Sequence, residues 1–446
     1  MTRFAGPSPA WGVHVPEVVP EVPHPAAVPG TGAGGAGSWR PGGSRARGVA
    51  DALRIPSYRW YFLGQVLSVS GTFLQATAVG WLVLQLSGSA TVLGLVLAAG
   101  SLPTLVLGPW GGVAADRLNL RRLLLATQVV FALLAAGLWL LAARGEATIA
   151  WLVGIGAVTG LVAAVDGPAR QAFAGTLVPA EYLASAISLN GVLINTARVV
   201  GPAVAGVLIA TVGTTVCFAV NAVSYAAIIL ALLVIRPTTQ RRAAAGGGVL
   251  DGLRYARGIV QLWLPLSMTA LVGLLAFNFQ VVIPVFARDA VGGDGGTFGL
   301  LSALLSLGAV AGSLAVGAIP HPRRLYLVAT ATVFAAGLTA TAAATTVPLA
   351  GAALVLTGAA AFAFITLVST TLQLHAAPQY RGRVIALFGL VYMGTTPIGS
   401  PLTGWIISVA GPRAALLVGA VACLTAAVGA ALVRTPPAPE DHAGAA

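Results

Sequence analysis

DGPARQAFAGTLVPAEYLASAISLNGVLINTARVVGPAVAG, residues 166–206, is the stretch on which the fold turns. It reads as the inner end of one membrane helix, a short polar turn and most of a second helix. Three of its features are not lipid-facing filler: Asp166 with Arg170 at a helix end, Arg198 deep in an apolar run, and Gly201-Pro202 followed by Gly206. A charge at mid-membrane depth costs at least ~2.5 kcal/mol on insertion scales, so Arg198 is expected to face a cavity or a partner. A degraded copy of the pattern returns later. Ile187, Leu189, Gly191, Gly201 and Gly206 correspond to Ile385, Leu387, Gly389, Gly399 and Gly404, all at an offset of 198 residues.

The composition sets the class. Of 446 residues, 57% are hydrophobic and only 8% charged, far too apolar for a soluble chain of this length. Runs of ~20 apolar residues, each able to cross ~30 Å of hydrocarbon, make it a polytopic membrane protein. The net charge of +12 does not point to nucleic acid, because all 24 basic residues are arginines clustered in alternate connections between the runs. Arg117, Arg121 and Arg122 form one group, and Arg236, Arg241, Arg242, Arg254 and Arg257 another. Arg323 and Arg324, then Arg381 and Arg383, complete the series, while the intervening connections hold only Arg144, Arg288 and Arg413. This asymmetry predicts cytoplasmic termini in the cell inner membrane and a basic surface facing the anionic leaflet. Cys217 and Cys423 lie inside apolar runs and read as small hydrophobes.

The pattern predicts an all-α membrane protein of twelve transmembrane helices in two pseudo-symmetric six-helix bundles. The first six spans are expected near Tyr58–Leu86, Val92–Ala115, Leu123–Ala143, Ile149–Pro168, Ala184–Thr211 and Thr214–Ile235. The second six are expected near Leu262–Phe286, Phe298–Ile319, Leu325–Thr345, Leu349–Leu374, Val384–Val409 and Ala414–Val433. The domains follow: a disordered cytoplasmic tail over 1–54, a first bundle over 55–236, a cytoplasmic linker over 237–258, a second bundle over 259–434 and a tail over 435–446. The tail's Pro, Gly and Ala content cannot offset ordering. Prolines interrupt every apolar run in it, so it is not a signal peptide. GAGGAG, residues 32–37, lacks the flanking strand and helix of a phosphate loop. In the linker, LDGLRYARGIV reads as a short amphipathic helix on the membrane face. Two parallel halves of this kind enclose a midplane cavity and rock about it.

The connection after span two, GPWGGVAADRLNLRRLLL, carries Gly112, Asp116, Arg117, Arg121 and Arg122. It resembles the signature loop of the major facilitator superfamily, G-x-x-x-D-R followed by further basic residues. In that family the loop acts as a latch on the cytoplasmic side of the outward-closed state. Leu120 stands where the family often has its first downstream arginine, and Arg121 is placed to take over that contact. The bland alternative is a plain positive-inside anchor. The opening stretch is similar to the branch holding macrolide efflux and enterobactin exporters. It shares DGPARQAF (166–173), LVP (177–179), AISLN (186–190), NTAR (195–198) and Gly201-Pro202, and the match extends to GWLVLQLSGS (80–89), PVFARD (284–289) and LQLHAAPQYRGRV (372–384). Gly201, Pro202 and Gly206 match the core of the superfamily's antiporter motif, and the resemblance implies export. Helix packing alone is the other reading.

The candidate residues keep their alternatives open. Arg198 binds an anionic substrate, pairs with a carboxylate across the cavity, or bonds carbonyls at the span-five kink. Asp166 carries a coupling proton, or forms a fixed ion pair with Arg121 or Arg170 near the cytoplasmic face. Asp289 beside Arg288 reads as a gate or surface pair. Gln65, Gln75, Thr77, Asn195, Asn221, Tyr225, Asn278 and Gln280 are polar lining or interhelical glue. Trp81, Trp263 and Trp405 are candidates for the cavity.

The expected function is secondary active export of an amphipathic small molecule, proton-coupled, by a monomer in the bilayer with no cofactor and no metal. An importer of a small nutrient on the same fold is the runner-up. An intramembrane enzyme lacks any visible catalytic constellation: there is no H-E-x-x-H, and His321 and His375 have no metal spacing. Direct ATP drive lacks its G-x-x-x-x-G-K-[ST] loop. A non-transporting membrane sensor would usually carry an extra folded domain.

Overall fold

In hydrocarbon a backbone must satisfy its own hydrogen bonds, and each long apolar run does so by closing into an α-helix. The computed structural model describes residues 50–235, 249–317, 319 and 323–433. The expectations for residues 1–49 (the GAGGAG stretch among them), for Arg236, Arg241, Arg242 and His321, and for residues 434–446 fall outside these. The first six spans are α1 Pro56–Ser87, α2 Ala90–Arg117, α3 Leu120–Ala143, α4 Ile149–Thr176, α5 Leu183–Val212 and α6 Thr214–Val234. A short helix, α7 Val249–Arg257, leads into span seven, which is built from α8 Val260–Leu275, α9 Phe279–Val285 and a π turn Phe286–Ala290. Then come α10 Gly295–Gly317, α11 Arg324–Ala343, α12 Val347–His375, α13 Arg381–Gly394 and α14 Thr396–Leu432.

Among the described residues eleven helices are long and apolar enough to cross a bilayer, the last being the continuous stretch Arg381–Leu432. That stretch is two spans. Its backbone leaves helical geometry at Gly411, with φ 86° and ψ 168°, so the expected count of twelve holds. The first half has the same turn between spans five and six, at Gly213, with φ 88° and ψ 172°. The two glycines are 198 residues apart. Only glycine occupies this backbone region comfortably, and other residues there cost ~1–3 kcal/mol. Gly213→Ala and Gly411→Ala are therefore each expected to lower the melting temperature in detergent, and an unchanged value for both would contradict this account of the turns.

The repeat also sets the packing. Gly160 of α4 lies so close to α2 that a Cβ would overlap the carbonyl of Gly100. Its counterpart Gly358 in α12 meets the Leu305 carbonyl of α10 in the same way. Such close approach by small residues drives helix association where the surrounding lipid offers no hydrophobic contrast. Gly201 packs α5 on α1, a Cβ there falling 2.6 Å from Phe73 Cβ. Gly399 packs α14 on span seven, with Asn278 Nδ2 2.9 Å from where its Cβ would stand.

Contacts between the halves are concentrated at one end, the end opposite the arginine-rich connections. A Cβ on Gly206 of α5 would lie 2.7 Å from the Cα of Gly299 in α10. Its repeat partner Gly404 of α14 abuts the Ala90 carbonyl of α2, and Gly94 of α2 abuts the Ser400 carbonyl. Trp81 of α1 stacks on Phe298 of α10 at 6.0 Å between ring centroids. The buried core follows the same division. One apolar cluster joins the far end of the first half, including Leu74, Trp81 and Phe218, to the whole second half. The basic end of the first half, around Tyr61, Phe131 and Phe173, forms a separate cluster. The halves are thus sealed at the far end and parted at the basic end.

Each half brings a short helix ahead of its first span and pins it to the start of its fifth. In the first half the turn Asp51–Arg54 donates the Ala52 N–H to Ser185 Oγ (3.0 Å), and the Tyr58 hydroxyl donates to the Ala186 carbonyl (2.9 Å). In the second, Tyr255 of α7 stacks on Tyr380 at 4.1 Å, and its hydroxyl accepts from the Ala377 N–H at 3.0 Å. The amphipathic helix expected in the linker is therefore there, but its Gly252, Tyr255 and Ala256 side is turned to the protein, with Gly252 against Arg383 and Ala256 fully buried.

Two expected boundaries are corrected. Span four does not stop at Pro168; α4 continues to Thr176 with Pro168 inside it. A membrane helix tolerates an interior proline where a neighbour covers the freed carbonyl, and Gly111 of α2 packs directly on that carbonyl, Ala164. Span seven is not one straight helix. It breaks at Asn278, whose side-chain amide donates to the Leu274 carbonyl at 2.7 Å.

Candidate functional site

With α4 running on to Thr176, Asp166 is not at a helix end but well inside one, 4% exposed. It accepts three hydrogen bonds: from Thr127 Oγ1 at 2.7 Å, Gln128 Nε2 at 2.8 Å and Arg170 Nη2 at 2.5 Å. Arg170 lies one turn on in the same helix, and its other terminal nitrogen, Nη1, donates to Gln65 Oε1 of α1 at 2.8 Å. Of the two partners expected for Asp166, Arg170 is the one it has. The pair ties α1, α3 and α4 together within the first half, behind Tyr61, which packs edge-on against Phe173 at 5.4 Å.

Arg121, the other expected partner, is used elsewhere. Its Nε and Nη2 donate to the carbonyls of Leu232 and Leu233, both at 2.6 Å, capping the end of α6. The second half repeats the device: Arg324 Nη1 donates to the Val433 carbonyl at the end of span twelve. Asp116 and Arg117 are exposed and make no ion pair among the described residues. The latch expected of this loop in the far-end-closed state is therefore not made. With the basic ends parted, Asp116 has no facing partner within reach. Gly112 is half-buried with open space where a Cβ would be, and Arg122 contributes its backbone N–H to the Asn119 cap of α3 at 3.1 Å.

Gln75, Asn221 and Asn278 hold helices together. Asn221 of α6 donates to Gln75 of α1 at 2.8 Å and accepts from Ser224 at 3.1 Å. Asn195 folds back on the Gly191 carbonyl of its own helix at 3.0 Å. Asn278 accepts from Ser400 of α14 at 3.3 Å, joining the span-seven break to span eleven. At the far end Arg288 pairs with Asp289 (2.6 Å) and reaches the Gly88 carbonyl at the end of α1 (3.3 Å), so this pair bridges the seal between the halves. Trp81 is in that seal, and Trp263 packs under Arg257 at 5.5 Å.

Arg198 is different. It is the sixteenth of the thirty residues of α5, at mid-span. Its guanidinium lies 4.6 Å from the ring centroid of Phe362 in α12 and 5.9 Å from that of Phe73 in α1. Pro202 leaves the Arg198 carbonyl without its helical N–H partner, but among the described residues the guanidinium itself makes no hydrogen bond to a carbonyl and no ion pair. Neither the carboxylate partner nor the carbonyl partner expected for it is present. Its contacts come from both halves, so it faces the space between them.

The aromatic side of this space was missed in the sequence. Phe277, Phe362, Phe388 and Tyr392 are all half-buried and form a linked cluster: Phe277 meets Phe362 at 6.2 Å and Tyr392 at 5.6 Å, and Phe388 stacks on Tyr392 at 6.2 Å. The signal was FNF (277–279), AFAF (361–364) and FGLVY (388–392), aromatic pairs in the middle of second-half spans. Arg198, from the first half, reaches across to this aromatic cluster of the second.

A family model described as transmembrane secretion effector matches residues 48–445, nearly the whole chain. The chain belongs to this family, a branch of the major facilitator superfamily. The transporter is 27% identical to the multidrug efflux pump Tap of Mycobacterium tuberculosis over 87% of its own length and 95% of Tap. It is 24% identical to macrolide efflux protein A of Streptococcus pyogenes (75% of this chain, 85% of that one). It is also 24% identical to the staphyloferrin A transporter of Staphylococcus aureus, covering 57% of this chain and 66% of that transporter. Among solved structures it resembles a bacterial homologue of the lysosomal transporter Spinster, inward-facing and occupied, with a TM-score of 0.68 at 14% identity over 84% of this chain and 97% of that one. A D-xylose-proton symporter matches with a TM-score of 0.66, also at 14% identity, over 85% and 96%. At these identities the structural likeness establishes the fold alone.

Proposed function

We propose that this transporter is a secondary active exporter that moves an amphipathic small molecule, such as a drug, siderophore or secondary metabolite, out of the cytoplasm by alternating access. The observation that carries the alternating-access part of the reading is the far-end seal, where Pro202 and Gly206, from the stretch of α5 that matches the antiporter motif, meet Gly299 of the other half. The fold does not choose a direction, since a symporter shares it. Export rests on the efflux pumps to which the chain is similar over most of its length. On this reading the arginine-rich end is cytoplasmic, both termini lie there, the bundles span 55–236 and 259–434, and the protein works as a monomer without a catalytic step. The drive is the proton gradient, and Asp166, held by Thr127, Gln128 and Arg170, serves as a fixed ion pair within the first half.

The test is accumulation of fluorescent and antibiotic compounds in efflux-deficient bacterial cells expressing wild type, Arg198→Ala or Asp166→Asn. Wild-type cells are expected to hold several-fold less of at least one compound, with the difference removed by a protonophore and by either substitution. Greater accumulation in wild-type cells would make the transporter an importer.

A further inference from the structure

The space between the halves is unbalanced in charge. Among the described residues of the spans, Asp166 is paired with Arg170 and Asp289 with Arg288. Arg198 alone, at mid-span, has a full charge and five N–H donors with neither a carboxylate nor a carbonyl to receive them. A charged side chain at this depth is retained where it serves a pathway or a ligand. Tyr392, in the same aromatic cluster, has a hydroxyl that makes no hydrogen bond among the described residues either.

The surroundings narrow the ligand further. Arg198 lies over the face of Phe362, and the half-buried rings of Phe277, Phe388 and Tyr392 continue the surface beside it. A cationic ligand is repelled by the guanidinium and denied the Phe362 face, which Arg198 already occupies. A neutral aromatic ligand stacks on the free rings but leaves Arg198 unpaired. An aromatic anion satisfies both, its ring on the Phe388–Tyr392 surface and its carboxylate or sulfonate on the guanidinium, to which such groups bind through paired charge-assisted hydrogen bonds.

We propose that Arg198 and the aromatic cluster of Phe277, Phe362, Phe388 and Tyr392 form a binding site for amphipathic aromatic anions. This rests on the transporter reading, which puts the substrate between the halves, and deepens it by naming the substrate's charge.

The experiment uses three probes with one ring system and three charges: naphthalene-2-carboxylate, naphthalene-2-carboxamide and 2-naphthylmethylammonium. Equilibrium binding of each to the purified full-length transporter in detergent is measured by calorimetry. Wild type is expected to prefer the carboxylate to the carboxamide by about 10- to 100-fold, the usual worth of a hydrogen bond to a charged group, and to bind the ammonium most weakly. Arg198→Gln brings the carboxylate down to the carboxamide's affinity, Arg198→Lys keeps part of the preference, and Phe362→Leu weakens both. Equal binding of the three, preference for the ammonium, no binding of any, or a preference that survives Arg198→Gln overturns the proposal. The wild-type ranking decides even where a variant fails to fold. Because binding at equilibrium has no direction, a carboxylate preference in a protein that imports would sink the export reading alone, and export without that preference would sink this inference alone.

Discussion

Asp166→Asn is expected to be the most damaging conservative substitution in the transporter, lowering its stability by about 3 kcal/mol. Removing one partner from a buried ion pair typically costs ~3–5 kcal/mol, because the other charge is left buried and alone. The lower end applies here, since the Arg170 side chain keeps 25% of its surface exposed while that of Asp166 keeps 5%. The asparagine also turns an NH₂ toward donors from Thr127, Gln128 and Arg170 that a carboxylate can accept and an amide cannot accept in full. Adding Arg170→Gln removes the orphaned charge, so the double variant should be more stable than Asp166→Asn alone. Thermal unfolding of the three purified proteins checks this. A single variant within 1 °C of wild type, or a double variant less stable than the single one, would show that the pair does not hold the basic end of the first half together.

Gly206→Leu is expected to abolish transport while leaving the fold in place. In the far-end-closed state the side chain has nowhere to go, with the Gly299 Cα already 2.7 Å from a Cβ and the Gly296 carbonyl at 3.1 Å. Forcing extra bulk into a close-packed contact costs ~1–3 kcal/mol. Because that cost falls on one conformation only, it shifts the closed-to-open ratio by roughly 5- to 150-fold. Gly404→Leu, at the repeat position against the Ala90 carbonyl, should act alike. Gly137→Leu, where nothing lies within 4 Å of a Cβ, should transport as wild type does. Export rates in proteoliposomes, with circular dichroism to confirm folding, separate these cases. Equal loss in all three would reduce the effect to general instability.

The repeat made much of this legible before any coordinates. Gly201 and Gly206 against Gly399 and Gly404 in the sequence became two equivalent sets of helix contacts, one within each half and one across the seal. The same offset also relates Gly160 to Gly358 and Gly213 to Gly411. What failed to show was the identity of partners distant in sequence. Phe362 is 164 residues from Arg198, and an aromatic face leaves no motif to announce that it will receive a guanidinium. Asp166 was misplaced because Pro168 reads as a stop in water, whereas in lipid the helix continues past it under the cover of Gly111. Arg121 looked like a latch because its spacing matched one. Its role as a cap for α6 follows only from where α6 ends, which no local pattern encodes.

The central claim is that the seal at the far end must open for substrate to leave. Trp81 and Phe298, stacked across it from the two halves, offer the most direct handle. The native Cys217 and Cys423 are fully buried and leave the background clean. With both rings replaced, in Trp81→Cys/Phe298→Cys, a short reducible bis-methanethiosulfonate should bridge the pair and stop export in proteoliposomes, and reductant should restore it. Export that continues at the uncrosslinked rate through a fully bridged protein would contradict the account.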